Sequence, residues 1–141
     1  MFLRFTIAIL ISPLFLTWGF AQSSEAKTID FKNNRFVIEN KYLTDLDDVG
    51  EMCSLDTFSF LKIVAYADTI GTKKYNVMLS KKRAMEVYSY LTKKFSIDAS
   101  KIYVTWLGEE TEGSYDLHFP NPNVQQRCVD ILVSFTNSRS N

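Results

Sequence analysis

The sequence has few of the residues that enzyme sites and nucleic-acid-binding surfaces depend on. Its 141 residues include one histidine and two cysteines, and 16 basic side chains balance 16 acidic ones. One histidine leaves little for general acid-base catalysis, and two cysteines cannot form a Cys-rich zinc site. The absence of excess positive charge argues against a general polyanion or nucleic-acid binder. With no G-x-S-x-G or H-E-x-x-H motif and no glycine-rich phosphate loop, we expect no enzyme, cofactor or metal.

The first 21 residues differ from the rest of the chain and predict a secretory signal peptide. They carry one basic residue, Arg4, and no acid, followed by an apolar run from Phe5 to about Leu16. Small residues at Gly19 and Ala21 suit cleavage after Ala21, with an uncleaved anchor as the alternative. No later stretch approaches the roughly 20 apolar residues that span a bilayer. We therefore expect an exported periplasmic protein, with no transmembrane span after cleavage.

The remaining residues predict one domain, at 22–136, and a polar tail at 137–141. A chain of this size buries about two thirds of the surface that it exposes when unfolded, which is enough for one core. Hydrophobic periodicity distinguishes helices from strands along it. In chain order it predicts a strand at Thr28–Phe31, a helix at about Asn40–Cys53, a strand at Phe58–Tyr66, a helix at Tyr75–Lys94, and strands at Lys101–Leu107 and Arg127–Phe135.

This order predicts an α/β two-layer sandwich with both helices on one face of a four-stranded mixed sheet. The stretch Phe58–Tyr66 is apolar on both faces, which is typical of a central strand. The first two connections are long enough for crossovers between parallel strands, whereas the loop Gly108–Gln126 can return the last strand antiparallel. The strand order stays open.

The two cysteines, Cys53 and Cys128, lie 75 residues apart. In an oxidising compartment they could form a disulfide, which would stabilise the fold by about 4–5 kcal/mol in the chain-entropy model. The alternative is two separately buried thiols.

The most informative stretch is Ala65 to Tyr90, AYADTIGTKKYNVMLSKKRAMEVYSY. It resembles the peptidoglycan-binding signature of the OmpA-like domain family, which occurs in outer membrane protein A, peptidoglycan-associated lipoproteins and flagellar stator proteins. Residues matching that signature are Asp68, Gly71, Thr72, Tyr75, Asn76, Leu79, Ser80, Arg83 and Ala84. Upstream IDFKNN and downstream Gly108-Glu109 also resemble the family, so the likeness covers about residues 27 to 136.

The resemblance implies a binding site for the terminal centre of meso-diaminopimelate in peptidoglycan stem peptides. Asp68 would bind its ammonium and Arg83 its carboxylate, because a carboxylate and a guanidinium held near each other suit a zwitterion. Asn76 and the Thr69–Gly71 backbone are the expected secondary contacts. Asn76 and Arg83 are seven residues apart, so they project from one helix face.

The chain also departs from the family's pattern. Ala65 and Ala67 replace a glycine and a threonine, and only Arg127 and Val129 remain of an Asn-Arg-Arg-Val segment. Arg127 is expected to keep a site or core-capping role. The alternative function is therefore a degenerate domain that serves as a protein-interaction or assembly component of the envelope, with Gly108–Gln126 in the partner surface.

Two other features favour ordinary surface roles. His118 lies in an acidic loop without recurring metal-ligand spacing, so a solvated loop is expected there. The predicted second helix is rich in lysine, which could attract an anionic cell-wall or lipid surface, although a solvated helix face is the default. These lysines are Lys73, Lys74, Lys81, Lys82, Lys93 and Lys94.

Overall fold

The protein's computed structural model describes residues 23–109 and 127–136. Its elements are β1 (Ser23–Asp30), α1 (Leu43–Met52), β2 (Phe58–Ala67), α2 (Lys73–Lys94), β3 (Ile102–Glu109) and β4 (Cys128–Phe135). Short 3-10 turns at Asn40–Tyr42 and Ala99–Lys101 precede α1 and β3. The predicted signal peptide and tail, His118 and most of the Gly108–Gln126 loop lie outside the described residues. The predicted order of helices and strands is confirmed.

The four strands form one mixed sheet in the order β1-β4-β2-β3. Strand β2 runs parallel to β3, and α2 supplies the crossover between them. Strand β4 runs antiparallel to both β2 and β1, so the long connection after β3 returns the chain into the middle of the sheet. The central position predicted for β2 is confirmed because it has a partner on each side.

One apolar cluster fills the space between the helices and the sheet. Both helices and three of the strands contribute side chains to it that have no exposed surface. Such residues include Ile29 of β1, Leu46 of α1, Ile63 of β2, Val87 of α2 and Ile131 of β4. Both helices therefore pack on the same face of the sheet, as predicted.

Several element ends differ from the prediction. Strand β1 begins at Ser23 rather than at Thr28. Its first residues are exposed and show no apolar alternation, so hydrophobic periodicity does not detect them. Helix α2 begins at Lys73, since the Thr72 side chain accepts a hydrogen bond from the Tyr75 amide at 3.2 Å. Tyr75, the predicted first residue of this helix, lies in its first turn and is 36% exposed.

Strand β3 passes the predicted end at Leu107 and continues to Glu109. Its register against β2 shifts there, with Ala65 opposite Trp106 and Tyr66 opposite Gly108. Leu107 is thus an extra residue in the ladder, an irregularity that strict alternation does not anticipate. The shift places Gly108 and Glu109 beside the end of β2.

The exposed lysines of α2 are not all simply solvated. The Lys81 ammonium lies 5.0 Å from the centre of the Trp106 ring, and that of Lys82 lies 5.1 Å from the centre of the Phe36 ring. At the end of the helix, Lys94 pairs with Asp47 of α1 at 2.6 Å. These contacts hold the ammonium groups of the three lysines against aromatic rings or a carboxylate of the domain.

No disulfide joins Cys53 and Cys128. Cys53 packs in the cluster on the helix side of the sheet, and burial raises the pKa of its thiol to about 12. Cys128 packs with Val64 and Tyr66 in a second cluster. Because neighbouring strand residues point to opposite faces, Cys128 faces away from the side that holds Cys53. The structure thus has two separately buried thiols, the alternative that the sequence left open.

The ring of Phe95 packs so closely against Gly50 of α1 that it leaves no room for a side chain there. A Cβ atom on Gly50 would lie 2.2 Å from two carbons of that ring. Alanine favours a helix by about 1 kcal/mol over glycine, but the overlap costs about 1–3 kcal/mol. We expect Gly50→Ala to lower the free energy of unfolding, measured by urea denaturation. In a Phe95→Ala background the same change should be neutral or stabilising, and an equal loss in both backgrounds would contradict this explanation.

Candidate functional site

The site forms around the turn that joins β2 to α2. Asp68 follows the last residue of β2, and one of its carboxylate oxygens accepts a hydrogen bond from the Ile70 amide at 3.3 Å. Gly71 has a φ of +108°, a conformation that side chains disfavour. Thr72 then caps the first turn of α2. This local chemistry places the Asp68 carboxylate at the start of the helix that carries Asn76 and Arg83.

Arg83 lies inside the protein beneath this turn, with no exposed surface. Its Nε donates to the Arg35 carbonyl at 2.9 Å, and its two terminal nitrogens donate to the carbonyls of Tyr66 at 2.9 Å and Lys32 at 3.3 Å. The Phe31 ring covers the guanidinium, its centre 5.3 Å from Cζ. Arg83 thus connects the end of β2 to the segment after β1.

Asp68 pairs with Arg127 rather than with Arg83. A terminal nitrogen of Arg127 lies 3.2 Å from an Asp68 carboxylate oxygen, and the two side chains are 29% and 18% exposed. Burial lowers the pKa of Arg83, while the negative charge of Asp68 opposes that shift. The structure therefore gathers one carboxylate and two guanidinium groups, with Arg83 at the bottom and Asp68 and Arg127 nearer the surface.

A second group of polar contacts joins α2 to the end of β3. Asn76 is fully buried, and its amide nitrogen donates to the Glu109 carboxylate at 3.2 Å. The Ser80 hydroxyl donates to the Val77 carbonyl and accepts from the Gly108 amide, both at 2.9 Å. The Gly108-Glu109 pair and Ser80 match the family's pattern, but nothing in the spacing of these residues indicates that the two segments contact each other.

An open cleft of about 490 Å³ lies beside the Asp68 turn. Asp68 contributes a carboxylate to it, and apolar surface comes from Ile70, Leu79 and the Tyr75 ring. The Tyr75 hydroxyl donates to the Asn34 side chain, which also lines the cleft. Such a cleft suits a ligand with a positively charged group and a short aliphatic chain.

The predicted site residues fall into two sets. Asp68 and Gly71 line the cleft, and Thr69 is exposed on the same turn. Arg83 and Asn76 are buried behind it, and neither they nor Arg127 are among the residues that line its walls, so their contact with a ligand stays a prediction. In the described ranges, no three His, Cys, Asp or Glu side chains gather as a metal site.

The model of the OmpA family matches residues 30–118. The chain belongs to the OmpA family. Outer membrane protein 41 of Porphyromonas gingivalis is 33% identical over 86 residues, which are 61% of this chain and 22% of that protein. The peptidoglycan-associated lipoprotein of Buchnera aphidicola is 33% identical over 70 residues, 50% of this chain and 40% of that protein. The chain thus corresponds to less than half the length of these OmpA-family relatives.

Two solved structures share this fold. The peptidoglycan-associated lipoprotein from Burkholderia pseudomallei superposes with a TM-score of 0.59 at 22% identity, covering 76% of this chain and 88% of that one. The cell wall anchor of the T6SS from Pseudomonas aeruginosa gives a TM-score of 0.54 at 20% identity, covering 81% and 82%. At these identities the likeness concerns the fold alone. Within the described residues, no helix is both long and apolar enough to cross a membrane.

Proposed function

We propose that this OmpA-family domain binds peptidoglycan without covalent chemistry and serves as an anchoring module of the cell envelope. The observation that carries the proposal is the Asp68 carboxylate, which lines the cleft while guanidinium charge lies directly behind it. The ligand is the terminal centre of diaminopimelate in a stem peptide, where an ammonium and a carboxylate share one carbon. Asp68 binds the ammonium, and the arginine charge attracts the carboxylate.

The relatives support the same role. One curated relative, 33% identical, is named as a peptidoglycan-associated lipoprotein, and one solved neighbour is described as a cell wall anchor. In this role the protein lies in the periplasm, in contact with the wall, and binds its ligand without catalysis. An outer-membrane or envelope-complex protein is a further partner of such a module, because a wall anchor needs a second attachment.

Sedimentation with purified sacculi that contain diaminopimelate tests the proposal. The full chain should sediment, and Asp68→Asn should weaken binding about tenfold or more, since a charge-assisted hydrogen bond contributes about 1.5–3 kcal/mol. Asp56→Asn is the matched control. Asp56 is an exposed aspartate just before β2, at the opposite end of the strand that Asp68 follows.

Circular dichroism of each variant separates lost binding from lost folding. If the wild-type protein stays in the supernatant, the chain is not a wall binder. The role as an assembly component of the envelope then becomes the better explanation. Equal sedimentation of wild type and Asp68→Asn would instead show that the cleft beside Asp68 is not the binding site.

A further inference from the structure

Helix α2 has an outward side on which lysines and apolar residues alternate, the lysine–methionine face. Its residues recur at spacings of three and four, so they lie along one side of the helix. They are Lys74, Val77, Met78, Lys81, Lys82 and Met85, and all six are exposed. Val77, Met78 and Met85 are 43%, 46% and 41% exposed. Apolar surface is therefore exposed on a helix whose opposite side already packs in the core.

Aromatic and apolar side chains continue this face on both sides of α2. Phe36 and Val37, in the segment after β1, are 37% and 63% exposed, and the Lys82 ammonium lies 5.1 Å from the centre of the Phe36 ring. On the other side, the Lys81 ammonium lies 5.0 Å from the centre of the Trp106 ring of β3. Single exposed apolar residues are common, but a larger contiguous patch is typical of an interaction surface.

The charge of α2 is almost entirely of one sign. The helix contains six lysines and Arg83 but a single acid, Glu86. Glu86 follows Met85 and so points about 100° away from it around the helix. None of the six residues of the lysine–methionine face is acidic. A partner that covers this face must supply negative charge and also accept apolar side chains.

We propose that the lysine–methionine face binds the surface of a membrane that contains anionic phospholipid. The lysine ammonium groups pair with lipid phosphates, while Val77, Met78 and Met85 enter the boundary between headgroups and acyl chains. Alternation of charged and apolar side chains along one line favours a lipid surface over an acidic protein segment. At that boundary, long lysine side chains reach phosphates while their apolar neighbours lie slightly deeper.

Membrane binding and wall binding use different sides of α2. Tyr75 and Leu79 line the cleft beside Asp68, and they lie about 100° and 140° around the helix from Lys74. The domain can therefore contact a membrane surface and a ligand in the cleft together. A lipid surface would supply the second attachment that a wall anchor needs, although membrane binding itself does not require peptidoglycan.

Co-sedimentation of the full chain with vesicles tests the proposal. Vesicles of equal parts phosphatidylglycerol and phosphatidylethanolamine are compared with vesicles of phosphatidylcholine alone. The apolar run Phe5–Leu16 is the same in every variant, so differences between variants report on the domain. Replacing both Lys74→Gln and Lys81→Gln should weaken binding to the anionic vesicles about 30-fold, since each lysine near the surface contributes about fivefold.

The matched control is the double variant Lys41→Gln and Lys93→Gln. It removes the same charge from two exposed lysines outside the lysine–methionine face, and it should weaken binding less than about threefold because charges farther from the surface are screened. Met78→Ser removes no charge but should still weaken binding, by about threefold to tenfold, since apolar surface no longer enters the lipid.

A local probe shows which side of the domain meets the lipid. A polarity-sensitive fluorophore on Met85→Cys should shift its emission to the blue with anionic vesicles. The same label on Tyr103→Cys should not shift, because Tyr103 is exposed on the sheet face away from the helices. Cys53 and Cys128 are both buried, so the label reacts with the introduced cysteine.

Three results would overturn the proposal. They are equal binding of wild type and the Lys74/Lys81 variant to anionic vesicles, equal shifts of the label at both positions, and loss of sacculus binding without loss of vesicle binding in that variant. An acidic protein or wall surface would then be the better occupant. Asp68→Asn should bind vesicles as wild type does, so failure of the peptidoglycan proposal would leave these results unchanged.

Discussion

Replacing Arg83 with glutamine should lower the free energy of unfolding by about 3–5 kcal/mol, the range found when one partner of a buried charged interaction is removed. The side chain is fully buried and donates to three backbone carbonyls, those of Lys32, Arg35 and Tyr66. Glutamine has fewer donors and a shorter reach, so it would leave buried oxygens without hydrogen bonds. Urea denaturation of wild type and variant measures the loss.

Lys82→Gln is the control for this prediction. Lys82 is the preceding residue of α2 and is exposed, and its contact with the Phe36 ring contributes about 0.5–1 kcal/mol, so its loss should cost no more than that. Arg83→Lys keeps the charge but not the planar set of donors, and we expect an intermediate loss. A stable, folded Arg83→Gln protein that no longer sediments with sacculi would contradict this account, because Arg83 would then act on the ligand and not on the fold.

The position of Arg83 shows where sequence reasoning about this site succeeds and where it stops. The motif identifies Arg83 from its spacing to Asp68 and Asn76, and its place on α2 follows from helical periodicity. Its burial depends on the carbonyls of Lys32 and Arg35, in a segment that has neither helical nor strand periodicity. The sequence does not show where this segment lies in the fold. It therefore cannot distinguish a buried arginine that donates to backbone carbonyls from an exposed arginine that binds a ligand.

The helices and central strands were predictable because burial on one face or on both leaves a pattern in the residues. Val87 and Leu91 of α2 and Ile131 of β4 are fully buried, as their spacing indicates. The strand order β1-β4-β2-β3 could not be predicted in this way. Apolar alternation indicates that one face of a strand is buried, but it does not indicate which strands lie beside it. The pairing of Asp68 with Arg127 depends on that order, because β4 adjoins β2 in the sheet.

Gly108→Ala should lower the free energy of unfolding by about 2–5 kcal/mol. Gly108 has a φ of +69°, which costs a side-chain-bearing residue about 1–2 kcal/mol. An added Cβ would also lie 2.8 Å from Cγ2 of Val77 and 3.1 Å from its backbone nitrogen. Because the second contact is with the backbone of α2, the helix or the strand end has to move, at a further cost of about 1–3 kcal/mol.

Gly71→Ala provides the matched comparison, because it separates backbone strain from crowding. Gly71 also has a positive φ, +108°, but an added Cβ would meet its nearest neighbours at 3.4 and 3.5 Å, which is ordinary contact. Its loss should therefore be limited to the backbone cost, which is about 1–3 kcal/mol because a φ of +108° lies outside the left-handed helical region. Adding Val77→Ala to Gly108→Ala should recover only part of the stability, since the Val77 backbone remains in place. Equal losses for the two glycine variants in urea denaturation would show that close packing of β3 against α2 does not determine the residue at position 108.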